Sequence, residues 1–145
     1  MRKQEGISTV NKLAIAIHLL ALLGFSAAAG AGDFDGSKKL LCAPGEAVDC
    51  MARGECVQVS PIEMNLPRFI TVDARAKRLS GTPVGGEEQT TDIQNVQTVD
   101  GKLILQGAEN GRGWSMVIDQ TTGDLSAAVA DQTNGFVLFG VCTPQ

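Results

Sequence analysis

From Ala47 to the end, short runs of β-prone residues alternate with turn-forming ones, and this punctuation constrains the fold more than any other feature. The runs are Ala47 to Cys50, Cys56 to Val59, Arg68 to Asp73 and Lys77 to Gly81, then Ile93 to Val99, Lys102 to Gly107, Gly113 to Asp119, Asp124 to Ala130 and Gly135 to Val141. Runs of this size at this spacing signal a sandwich or a barrel. Asp100-Gly101 between two of them is a type I′ hairpin signal, because both central residues of that turn need positive φ. Gln120-Thr121-Thr122-Gly123 reads as a second hairpin, with Gly123 in the left-handed position. Within the runs, Trp114, Met116 and Ile118 share one strand face, and Leu125, Ala127 and Val129 repeat the pattern. Phe136 to Phe139 is apolar on both faces, which predicts a central or doubly covered strand.

Two segments depart from the strand pattern. Ser60-Pro61-Ile62-Glu63 combines a Ser N-cap, Pro at the first helical position and Glu at the third, a capping box that predicts one short helical turn ended by Pro67. Residues 83 to 91, with Gly85-Gly86-Glu87-Glu88, read as the most mobile internal loop, and residues 33 to 45 as an irregular N-terminal arm.

The N-terminus carries Arg2, Lys3 and Lys12 before a run from Leu13 to Phe25 that is apolar except for His18, followed by small residues. That is the order of a secretory signal peptide, with cleavage expected after Ala29 or Ala31. An uncleaved anchor of about 20 residues is the competing reading, and the small, Gly-containing end argues against it. With no Cys at the cleavage point and no Arg-Arg pair, neither lipidation nor the twin-arginine route is expected. The expected organisation is therefore a signal peptide over 1-31 and one β-domain over 32-145, periplasmic or secreted by the general secretory route, with no membrane anchor after cleavage. Beyond residue 31 the chain holds 9 basic and 15 acidic residues, net −6, a charge that repels nucleic acid.

Four cysteines, Cys42, Cys50, Cys56 and Cys142, lie in this domain. An even number in an exported chain reads as disulfides, and three pairings are open. Cys50 with Cys56 and Cys42 with Cys142 is preferred, since the first closes a short loop through Arg53-Gly54 and the second ties the start of the domain to its last strand. The gaps of seven, five and 85 residues do not suit zinc, and the domain has no His to help. Asp33-Phe34-Asp35-Gly36 is a poor calcium loop, its Gly at the fourth position and Pro44 at the twelfth. No metal and no cofactor is expected.

His18, the one histidine, falls in the signal peptide, and Tyr is absent, so catalysis through histidine or tyrosine is excluded from the domain. Asp119, Asp124 and Asp131 are close enough in sequence to suggest a carboxylate pair, but they stand at strand ends, where Asp serves local turns. The expectation is that the chain is not an enzyme. Glu109-Asn110-Gly111-Arg112-Gly113-Trp114 is the most individual segment. Trp beside Arg is a composition of binding hot spots, whereas the phase of Trp114 with Met116 and Ile118 favours a place in the core. Arg112, Trp114 and Phe34 are the candidate binding residues.

Several segments, Phe34-Asp35-Gly36-Ser37, Leu40-Leu41-Cys42, Leu66-Pro67-Arg68-Phe69, Asp100 to Gly107, Gly111 to Ser115 and Phe139 to Thr143, resemble a family of small exported proteins of Gram-negative bacteria. The resemblance covers nearly the whole domain; it implies export and a β-domain and assigns no site. Likeness to small periplasmic lysozyme inhibitors is one of architecture alone, because their Ser-Gly-x-x-Tyr motif needs a tyrosine. The fold expected is a single all-β, antiparallel, barrel-like domain of eight or nine strands. The function expected is a non-catalytic binding or inhibitor module for an envelope protein or a small apolar ligand; the alternative is a structural or stress-related envelope component.

Overall fold

The computed structural model describes residues 33–145, and the expected signal peptide lies outside them. These residues form ten antiparallel strands and no helix: β1 (Leu40–Met51), β2 (Cys56–Val59), β3 (Ile70–Asp73), β4 (Arg78–Gly81), β5 (Gln89–Asp92), β6 (Asn95–Val99), β7 (Lys102–Glu109), β8 (Arg112–Asp119), β9 (Asp124–Ala130) and β10 (Asn134–Pro144). Nine follow one another across a single curled sheet in the order β5-β4-β3-β1-β10-β9-β8-β7-β6, and β2 attaches to β1. The sheet is a half-barrel. Its two ends, β5 and β6, are joined by Ile93-Gln94, whose amides donate to the carbonyls of Lys77 and Gln106 at 2.9 Å each and so draw the ends toward each other.

β1 organises the sheet. Along one edge it pairs with β10; along the other, Leu40 to Cys42 pair with β3 and Ala47 to Cys50 with β2. The arm expected over 33 to 45 is therefore strand from Leu40 onward. Pro44-Gly45 hides it in the sequence, and the structure absorbs the pair as a bulge between Pro44 and Glu46. The extra residue changes phase, so that Leu40, Cys42 and Ala47 are all fully buried although Cys42 and Ala47 are an odd number of residues apart. Opposite the bulge only glycine fits, because a Cβ on Gly140 would meet the Ala43 carbonyl oxygen at 2.3 Å.

A second correction concerns residues 83 to 91, whose last part is the edge strand β5, paired from Gln89 to Asp92 with β4. Thr90-Thr91 suits a pleated edge, and the Gly-rich stretch before it drew attention away. A third concerns Asn110-Gly111. Both have positive φ, at 51° and 78°, as do Asp100 and Gly101 at 48° and 73°, so the individual segment is a two-residue hairpin turn like the one that was anticipated.

The capping box forms. Glu63 Oε2 accepts from the Ser60 amide at 2.9 Å, and Ser60 Oγ accepts from the Glu63 amide at 3.4 Å. At the other end the Leu66 amide donates to the Pro61 carbonyl and the Asn65 amide to that of Ile62, with Asn65 at φ 56°. This is a Schellman closure, so one helical turn is capped at both ends and grows no further.

The cysteines pair as Cys42–Cys142 and Cys50–Cys56, the preferred arrangement, each joining directly opposed residues of neighbouring strands. Two disulfides are compatible with an oxidising compartment. The core fills the concave side with Leu40, Val72, Ile93, Leu103, Leu105 and Ile118 as its most enclosed large side chains. β10 is central, between β1 and β9, but its outer face is uncovered: Val137, Phe139 and Val141 are 38%, 48% and 56% exposed.

Candidate functional site

The strand registers distinguish two ends of the half-barrel. At the end carrying the β8–β9 turn, the ring of Phe34 lies against Gly123, where an added Cβ would come within 2.6 Å of it. Phe34 packs on the core there and helps close that end. The other end carries the β7–β8 turn and holds a cavity of about 810 Å³.

One wall of the cavity is β8 to β10. Arg112, Trp114 and Met116 follow one another inward from its mouth on β8, and Val129 and Ala127 run alongside on β9. Asn134, Phe136 and Leu138 continue the row on β10, and Asp49 extends it to β1. The facing wall comes from β3 to β5 through Ile70, Leu79 and Thr91, among others, and Glu63, Met64 and Leu66 of the capped turn lean over the mouth. The alternation of each strand thus builds the cavity: residues in phase toward the mouth line it, and those deeper, such as Ile118 and Leu125, fill the core.

Trp114 joins both regions. It is half-buried and packs on the core, and its indole covers Gly107 on β7, where a Cβ would sit 2.4 Å from Cζ2. Gly107 directly opposes it in the ladder, so the absent side chain is what lets the ring lie flat on the sheet. The indole Nε1–H is shielded from solvent and has no acceptor among the described residues. A shielded donor without a partner costs about 1–3 kcal/mol and calls for an explanation. The core and hot-spot readings of Trp114 are therefore not exclusive.

Arg112 is exposed, and its Nε donates to Asp131 Oδ2 at 3.2 Å. Arg112 and Trp114 lie together at the cavity, whereas Phe34 is at the opposite end. Glu109 and Asn110 of the same segment line the cavity too, as does Glu63 of the capping box, whereas its strand residues on β3 to β5, β9 and β10 were not proposed as binding residues from the sequence. The one signal they carry is the shared phase of Trp114-Met116 with Ala127-Val129, which in sequence is indistinguishable from a filled core.

The three aspartates of the sequence argument serve turns. Asp119 accepts from Lys102 and from the amides of Thr121 and Thr122, and these bonds, that from Lys102 foremost, hold its carboxyl far below the ordinary value of 3.8. Asp131 is held far below it too, mainly by the Thr133 hydroxyl and amide, with the Asn134 amide and Arg112 adding to the effect. A general acid needs a raised pKa, and both of these are lowered. Asp124 accepts from the Thr122 hydroxyl at 2.8 Å.

Comparison with known protein families and with characterised proteins returns no match for this chain.

Proposed function

We propose that this protein is a non-catalytic binding module of the periplasm or the extracellular space, and that the cavity at the β7–β8 end seats its ligand. The observation that carries the reading is the cavity itself. Its volume of about 810 Å³ lies in the range of about 300–1,000 Å³ that small-molecule sites occupy. Met116, Phe136 and Leu138 give it an apolar side, and Ser80, Thr90 and Thr91 on the facing strands give it a polar one. Lowered carboxylates engaged in turns support a role without catalysis.

Titration with the neutral apolar fluorophore N-phenyl-1-naphthylamine tests this. Saturable 1:1 enhancement is expected, lost in Ala127→Leu, which fills the cavity floor, and in Val129→Phe, which narrows its mouth. Thermal unfolding of each variant separates a filled cavity from a failed fold. Absence of saturable binding, or binding indifferent to both substitutions in folded protein, contradicts the proposal. The alternative, a structural envelope component, draws support from the exposed row Val137, Phe139 and Val141.

A further inference from the structure

Resting on that reading, we infer that the ligand is a cationic amphiphile, an apolar chain or ring system bearing one ammonium-type head. Among the described residues four charged ones line the cavity: Asp49 from β1, Glu63 from the capped turn, Glu109 from the end of β7, and Arg112. Three are carboxylates. The fourth, Arg112, is the lone cation of the lining, and its guanidinium is already engaged by Asp131 at 3.2 Å. The mouth is therefore net negative, and the domain around it has the same sign, with 15 acidic residues against 9 basic ones beyond residue 31.

Along β8 the order inward is Arg112, Trp114, Met116, and along β10 it is Asn134, Phe136, Leu138, so on these two strands polar groups stand outermost and apolar ones below, while Asp49 on β1 pairs opposite Phe136, level with Trp114. An apolar body seated against Met116 and Leu138 places its head at the level of Asp49 and Trp114, with Glu109 nearer the mouth. An ammonium there meets opposite charge and the neighbouring indole, whose ring attracts cations. A sulfate or carboxylate head at the same depth meets three like charges and no unengaged cation, which selects against it. A neutral head gains nothing from either.

The test uses three probes with one chain and different heads, decyltrimethylammonium, decyl maltoside and decyl sulfate, each below its micellar concentration, followed by titration calorimetry. The cationic probe is expected to bind most tightly and the anionic least, at least about tenfold apart at low salt, a ratio worth about 1.4 kcal/mol. The spread should narrow in about 1 M salt, where charges are screened beyond about 3 Å. In Asp49→Asn/Glu109→Gln the ratio of the affinities for the cationic probe and the maltoside should fall toward one; Glu109→Gln alone, at an exposed position, should give part of the effect if the double variant unfolds. Equal affinities, or a preference for the anionic probe, overturn the ligand class and leave the cavity reading standing. Failure of all three probes to bind overturns both.

Discussion

Deleting the two disulfides one at a time should have very unequal consequences. Cys42 and Cys142 are 100 residues apart, Cys50 and Cys56 only 6. Loop-closure entropy in the unfolded chain gives about 4.7 kcal/mol for the long loop and about 2.2 kcal/mol for the short one. Burial widens the gap. Cys42 is wholly enclosed and Cys142 is 7% exposed, so replacing both by alanine removes two core sulfurs, at roughly 1 kcal/mol each. Cys56 is exposed and Cys50 half-buried, and their loss opens nothing of that kind. Cys42→Ala/Cys142→Ala should therefore lose about 7 kcal/mol and Cys50→Ala/Cys56→Ala about 2 kcal/mol. Since small domains hold about 5–15 kcal/mol in all, the first variant should be near the limit of folding. Urea unfolding followed by circular dichroism reads both values, with slopes compared because a freed chain expands on unfolding. Equal losses, or the greater loss from the short loop, would refute the reasoning.

Trp114→Ala should cost about 2–3 kcal/mol, below the 3–5 of a fully packed tryptophan, because one side of the ring borders the cavity; a loss under 0.5 kcal/mol in urea unfolding would remove Trp114 from the core. Gly140→Val should cost at least about 2 kcal/mol, since its Cβ meets the Ala43 carbonyl at 2.3 Å, whereas Gly113→Ala, with nothing within 4 Å, should stay within about 0.5 kcal/mol. For pH the sign follows from Asp119 and Asp131, whose folded pKa values lie below the ordinary 3.8. The unfolded chain then binds more protons at acid pH, so this contribution is intact above about pH 5 and is lost as pH falls through 4 toward the folded values. Thermal melts should be flat from pH 7 to about 5 and decline below it, less steeply in Asp119→Asn; a decline beginning above pH 6 would contradict the assignment.

The strand pattern was readable where side chains alternate and turns use Gly. Asp100-Gly101 and Gly123 marked two hairpins, and the Ser60–Glu63 box marked the capped turn down to its hydrogen bonds. The start of β1 was hidden because Pro44-Gly45 is a breaker in sequence and a bulge only when β10 lies opposite with Gly140. Asn110-Gly111 carried the same turn signal as Asp100-Gly101, but the neighbouring Trp114 and Arg112 drew the functional reading instead. The cavity was not readable at all. Whether an inward row such as Trp114, Met116, Ala127 and Val129 fills space or encloses it depends on the distance to the facing wall. That distance is set by the curl of the sheet and by where the turn of Pro61 to Asn65 lands.

The most direct measurement uses the chain's one tryptophan, which gives a single indole N–H signal in a ¹H–¹⁵N spectrum. During titration with decyltrimethylammonium, that signal and the methyl groups of Met116, Val129 and Leu138 should shift together and saturate at 1:1, while Val137 and Val141 on the outer face stay in place. Shifts confined to the outer row, with the indole signal unmoved, would contradict the account.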